Sequence, residues 1–251
     1  MESIRREGLT YVKVMPKHRV LNTLVNFDIA ACVFLLVDIL IGKEVTVWQF
    51  LLSLLTWDDI GNSNWYIFVI ILCYFVTYIA ARNIKDEKNL LVTVFITLTI
   101  AVIGLHFLKG SWWYNTIWAY PTGIFYSIFK KNIENCVNSR YLWLVSFLII
   151  AFCLIYMIPY EATGFRTNTL SVLFALLVVM LTMRVKIYNG YLRWCGEKLF
   201  PLYIYQRVPM TIFYELLPSE LICKYPLFYI AICFMITVVI ASAYKFIKLS
   251  I

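Results

Sequence analysis

Long apolar runs separated by short polar, mostly basic stretches organise the chain. Eight runs of 15–22 residues stand out: Val20–Ile41, Trp65–Ala81, Leu90–Leu108, Trp112–Phe129, Tyr141–Ile158, Thr169–Met183, Leu199–Leu217 and Tyr225–Tyr244. A bilayer-crossing helix takes about 20 mainly apolar residues, within a working range of ~17–25. The pattern therefore predicts an all-α, polytopic membrane helix bundle with about eight transmembrane helices. The short sixth run is expected to extend into Gly164–Asn168 or Arg184–Lys186. Val45–Leu55 is apolar over only 11 residues, which predicts an interfacial or re-entrant helix. It belongs to Val45–Asn64, the expected lid over an external site.

The basic residues give these runs a direction. Five lie in Met1–Arg19, then one (Lys43), three (Arg82, Lys85, Lys88), one (Lys109), three (Lys130, Lys131, Arg140), one (Arg166), four (Arg184, Lys186, Arg193, Lys198), one (Lys224) and two (Lys245, Lys248). The alternation is unbroken, with seventeen on one side and four on the other, so the positive-inside rule predicts both termini in the cytoplasm. Met1–Arg19 lacks the apolar core of a signal peptide. It reads as a cytoplasmic basic lead-in (1–19) to a single transmembrane domain (20–251). Trp57, Trp65, Trp112, Trp113, Trp143 and Trp194 fall near run ends, as an aromatic belt places them.

Composition agrees with the pattern and removes other classes. Apolar residues make up 62% of the 251 and charged residues 14%, against roughly 45–50% and ~25% in soluble domains. The net charge of +8 is accounted for by topology, so the expected partner is the lipid bilayer and not nucleic acid. The seven cysteines form no CxxC pair and no Cys/His metal spacing, and no glycine-rich phosphate loop occurs. No metal and no bound cofactor are expected.

Ionisable groups inside spans are costly and mark functional interiors. They are Asp28, Asp38, His106 and Arg207, with Glu215 near an end. Arg207 sits in LFPLYIYQRVPMTIFYELLP, where Pro209 should kink the helix and free the carbonyl of Tyr205. A broken helix beside a permanent cation can build an anion site near the midplane. Asp28 and Arg207 each lie eight residues into their runs, roughly 12 Å deep. Either they neutralise one another as a buried charge pair, or Arg207 serves the phosphate or thioester carbonyl of a substrate. His106 reads as an interfacial polar group or a catalyst, His18 as a headgroup contact, and Asp58 and Asp59 as a solvated outer pair. Asn115, Pro121 and Gly123 make the fourth run irregular, suiting a cavity wall or close helix packing.

Three stretches, GNSNWYIFVIILCYFVTYIA (Gly61–Ala80), SWWYNTIWAYPTGIFYSIFKKNIE (Ser111–Glu134) and CGEKLFPLYIYQRVPM (Cys195–Met210), resemble successive landmarks of the acyltransferase-3 family. These are integral membrane acyltransferases, many of them O-acetyltransferases of bacterial surface polysaccharides. The resemblance implies a ten-span bundle in the bacterial inner (plasma) membrane. It implies acyl-CoA, with acetyl-CoA the expected donor, and a hydroxyl of a cell-surface glycan or polysaccharide as acceptor. It also implies Arg207 and Gln206 lining the acyl or acceptor path, with Trp65 and Asn115 in an outer cavity.

The sequence departs from the family at its hallmark, an Arg followed eleven residues later by His. Phe95 stands eleven before His106, and Glu7 eleven before His18. The segment Tyr11–Asn22 resembles the stretch after the family's second span, with Arg19 matching the first Arg of an Arg-x-x-Arg motif and Asn22 replacing the second. Gln206 stands where many members carry His. The expectation is an acyltransferase relative lacking the first two spans and the family's catalytic histidine, with His106 as the one intramembrane candidate for a substitute base. The alternatives are a transporter or flippase-like permease for a glycan intermediate, and a non-catalytic membrane subunit.

Overall fold

The computed structural model describes residues 2–61, 64–159, 163–185 and 188–244. Among these, all regular structure is helical. The helices are α1 (Glu2–Glu7), α2 (Leu9–Met15), α3 (Asn22–Leu40), α4 (Val47–Leu54), α5 (Asn64–Asn83), α6 (Glu87–Leu108), α7 (Ala119–Tyr156), α8 (Thr163–Arg184), α9 (Gly190–Glu197), α10 (Leu199–Tyr205), α11 (Arg207–Leu216), α12 (Ser219–Lys224) and α13 (Pro226–Ala243). A wider, π-helical turn at Pro16–Leu21 joins α2 to α3. Six stretches are long and apolar enough to cross a membrane: Leu9–Leu40, Asn64–Asn83, Glu87–Leu108, Ala119–Tyr156, Gly164–Arg184 and Pro226–Ala243. Large apolar side chains stay exposed along their length, among them Ile100, Leu142, Phe147, Leu154 and Val239. Lipid, not water, is the solvent such surfaces suit. The protein is a membrane-embedded helical protein.

The chain forms two compact units, Met1–Pro16 with Val69–Ile187, and Lys17–Phe68 with Tyr188–Ile251. In the first, α7 decides the architecture. A straight helix of 38 residues would be about 57 Å long. Yet the backbone N–H of Trp118, just before α7, donates to Asn168, while the carbonyl of Tyr156 at its far end accepts from Arg166. Both ends therefore meet the start of α8, so α7 folds back on itself. Non-helical angles at Phe129 (φ −100°, ψ 16°) and Arg140 (φ −132°, ψ 34°) mark the reversal. The stretch Lys130–Arg140, expected as a connection, is thus largely helical between those two interruptions. Its Val137, with Leu148 beyond the second interruption, packs on Met180 of α8. Arg184 at the end of α8 donates to the carbonyl of Asn138 and covers the ring of Tyr141.

The fourth run does not begin as helix at Trp112. Ser111–Trp113 is a single tight 3-10 turn, and the chain stays irregular until Ala119. Asn168 explains how a membrane protein tolerates this. Fully buried, it accepts from Trp118 N–H (3.1 Å) and donates to the carbonyls of Tyr114 (2.7 Å) and Gly164 (2.8 Å). Backbone groups that no helix satisfies are thereby paired in the interior. On the basic side of the unit, Arg5 grips Glu87 through two nitrogens and the carbonyls of Ser127 and Ile128, beside the Phe129 interruption. Asp86 caps α6 by accepting from Asn89 N–H.

In the second unit, α3, α10 and α13 pack together, with α11 against α3 and α13. Tyr244 donates to Asn26 (2.9 Å) and its ring meets Phe200 and Tyr205. Lys43 pairs with Glu215 (3.0 Å), and Tyr229 donates to the carbonyl of Met210. The seventh run is broken as Pro209 demands. Its ring opposes the carbonyl four residues earlier, that of Tyr205, and α10 ends there while α11 restarts at Arg207; Gln206 between them keeps helical angles (φ −57°, ψ −30°), so the run is kinked and not unwound.

Candidate functional site

The site begins with the segment after α3. Thr46 caps α4 by accepting from Gln49 N–H, and α4 packs back along α3. Its exposed Val47, Trp48, Leu51 and Leu55 form an apolar stripe. Beyond it the chain winds into a tight loop. Trp57 and Asp58 donate N–H to the carbonyl of Leu52, Asp58 accepts from Asp59 N–H, and Asp59 accepts from Gly61 N–H (2.8 Å). Asn64, at the start of α5, is fully buried and bonds the carbonyl of Asp58 and the hydroxyl of Ser53. Gly61 has φ +92°, where L side chains are strained, and a Cβ there would meet the ring of Phe34 at 3.8 Å. Phe34 precedes the end of α3 by six residues, about 9 Å. The segment thus packs back along the end of α3.

Arg207 meets that loop. Its guanidinium donates to the carbonyl of Gly61 (3.3 Å) and stands 3.9 Å from the carboxylate of Asp59. Next to it, Tyr203 of α10 packs on Tyr66 (4.7 Å between ring centroids) and edge-on to Trp65 (6.3 Å). The side chains of Arg207 and Asp59 are 48% and 45% exposed. Each therefore keeps an open face beyond the contacts it makes. Desolvation nevertheless pushes the Asp59 carboxyl above the ordinary carboxylate range, opposed by the Gly61 N–H and by Arg207. The arrangement offers a half-satisfied guanidinium beside an aromatic wall, fit to receive a carboxylate, a phosphate or a developing oxyanion.

The pair expected between Asp28 and Arg207 does not form. Arg207 takes Asp59 instead, and one carboxylate oxygen of Asp28 is buried with no hydrogen-bond partner among the described residues, as is the hydroxyl of Tyr205. Such groups are where ordered water sits. Matching depth in two helices left their rotation free, so the sequence argument had no hold on direction. Asp59 was the residue that argument missed: read as half of a solvated outer pair, it keeps an exposed face and also stands beside Arg207. Gln206 is half-buried at the helix break itself. Trp65 belongs to this site, one aromatic contact from α10.

The other expected residues lie elsewhere. Asn115 is in the first unit, where its side-chain oxygen accepts from Thr167 (2.7 Å). His106, exposed, has its Nδ1 2.9 Å from the hydroxyl of Tyr114. That hydroxyl, on a side chain 3% exposed, has no other hydrogen-bond partner among the described residues. The two groups share one hydrogen bond, whose direction is set by the imidazole tautomer. Arg19 is exposed on the π-helical turn beside His18. No cluster of three His, Cys, Asp or Glu side chains fit for a metal occurs among the described residues.

No family model matches this chain, and no curated protein or solved structure matches it either.

Proposed function

We propose that this protein is a multi-pass membrane acyltransferase that passes an acyl group, with acetyl the expected one, from acyl-CoA to a hydroxyl of a cell-surface glycan in the bacterial inner membrane. The observation that supports the reading is Arg207 at the α10–α11 junction, held among the described residues by a carbonyl and a distant carboxylate, with its side chain 48% exposed. Acyl transfer needs a donor group for the oxyanion that forms when the hydroxyl attacks the thioester carbonyl. Arg207 supplies two free N–H directions, with Gln206 beside it as a further polar group.

The same reading takes eight crossings with the N- and C-terminal sides cytoplasmic. Two features support it. The α7 reversal turns one long apolar helix into two antiparallel arms. Segments with many basic residues also meet one another, as Arg5 meets Glu87 and Ser127, and Arg184 meets Asn138. A flippase-like permease is the second reading, because a helix broken beside a cation serves substrate passage equally well.

The test uses membrane vesicles containing the full chain, supplied with acetyl-CoA labelled in the acetyl group. Label appearing in the glycan fraction, and lost in Arg207→Gln at equal protein levels, is the expected outcome. Label transfer that persists in Arg207→Gln, or none above vesicles without the protein, overturns the proposal.

A further inference from the structure

Helices α11 and α13 splay apart to leave a wedge of about 420 Å³. Phe213 and Leu217, one turn apart, line one side; Phe228, Tyr229 and Ile232 line the other, with Ile222 of α12 between. The bond from Tyr229 to the carbonyl of Met210 ties the two sides together. The wedge opens between a long apolar helix and a broken one, so in a bilayer its neighbour is lipid. A void of this size would forfeit dispersion contacts along all its walls, and water has almost no polar group there to bond. Neither emptiness nor hydration is stable, which leaves a hydrocarbon chain. Beside the wedge stands Lys224, whose ammonium lies 5.5 Å above the ring of Tyr225, a lining residue. It makes no ion pair with any described residue, although Glu220 is one turn away on α12.

We infer that the wedge is a binding site for one glycerophospholipid, an acyl chain lying between α11 and α13 and the phosphate seated on Lys224. The chemistry fits, for a single cation adjoins a lining that is otherwise apolar. Met210, bonded to Tyr229 of the lining, is three residues from Arg207, so the lipid holds α11 in the setting that presents Arg207. The site is independent of which reaction, if any, Arg207 serves.

Native mass spectrometry of the full chain, with palmitoyl-oleoyl phosphatidylglycerol added to the detergent-solubilised protein, tests this. One lipid is expected to remain bound at activation energies that strip the others. Leu217→Trp, which fills the wedge, is expected to weaken that adduct about tenfold, and Lys224→Gln to weaken it by a smaller factor. Leu142→Trp, on an exposed apolar position of α7, is expected to leave it unchanged. Adduct retention equal in Leu217→Trp and the parent, or equal loss in Leu217→Trp and Leu142→Trp, overturns the inference. Ile222→Ala, which enlarges the wedge without blocking it, guards against a folding defect: it keeps the adduct if the inference holds and behaves like the parent in a thermal melt.

Discussion

Replacing Asn168 by Leu probes how this membrane protein keeps an irregular stretch inside its bundle. Leucine matches the size of asparagine but carries none of its polar atoms. Three hydrogen bonds disappear, to Trp118 N–H, to the carbonyl of Tyr114 and to the carbonyl of Gly164. The Gly164 carbonyl sits within α8 and has a helical partner one turn on. The other two belong to the stretch before α7 and gain no substitute. A buried polar group left unpaired costs about 1–3 kcal/mol, so the loss is roughly 2–6 kcal/mol for two such groups. For a chain of this length, 1 kcal/mol moves the thermal midpoint by about 2–4 °C, giving a fall on the order of 10 °C. Thermal unfolding in lipid nanodiscs, followed by far-UV circular dichroism, measures it. Thr167→Val, which removes the part-buried bond to Asn115, should cost about 1 kcal/mol and sets the scale. A midpoint for Asn168→Leu within ~2 °C of the parent, under about 1 kcal/mol, would refute the reasoning.

Asp59 and Gly61 supply two further expectations. A carboxyl whose pKa is higher in the folded than in the unfolded protein binds more protons when folded, so stability falls as pH rises through the range just above ordinary carboxylates. The nanodisc midpoint should therefore rise as pH is lowered toward that range, and Asp59→Asn should abolish this part of the dependence; an unchanged pH profile in Asp59→Asn would exclude it. Gly61→Ala forces a side chain into a left-handed conformation and should cost about 1–2 kcal/mol in the same melt. No loss there would mean that the loop does not hold the φ of +92°.

The helices were legible because lipid imposes the simplest of patterns: every lasting apolar run became helix. The Arg207 break was legible as well, since Pro209 opposes the Tyr205 carbonyl whatever surrounds it. What sequence could not convey was the path of the chain between runs. Val45–Asn64 looked like an outer lid, and only its packing along α3 brings Asp59 and Gly61 to Arg207. The reversal within α7 was foreshadowed by the charges of Lys130–Arg140, although nothing in them indicated that the turn itself is helical. Depth alone suggested Asp28 for Arg207, because counting residues along a helix says nothing of which way each side chain points.

The central claim is that Arg207 borders water within a membrane protein. Arg207→Cys, in a background with the seven native cysteines replaced by alanine or serine, can be exposed in sealed membranes to a charged, membrane-impermeant thiosulfonate. Rapid labelling from one side only, slowed when the charge of the reagent is reversed in the presence of Asp59, is the predicted result. Failure to label from either side, while a lipid-soluble maleimide still reacts, would place position 207 in hydrocarbon and contradict the account.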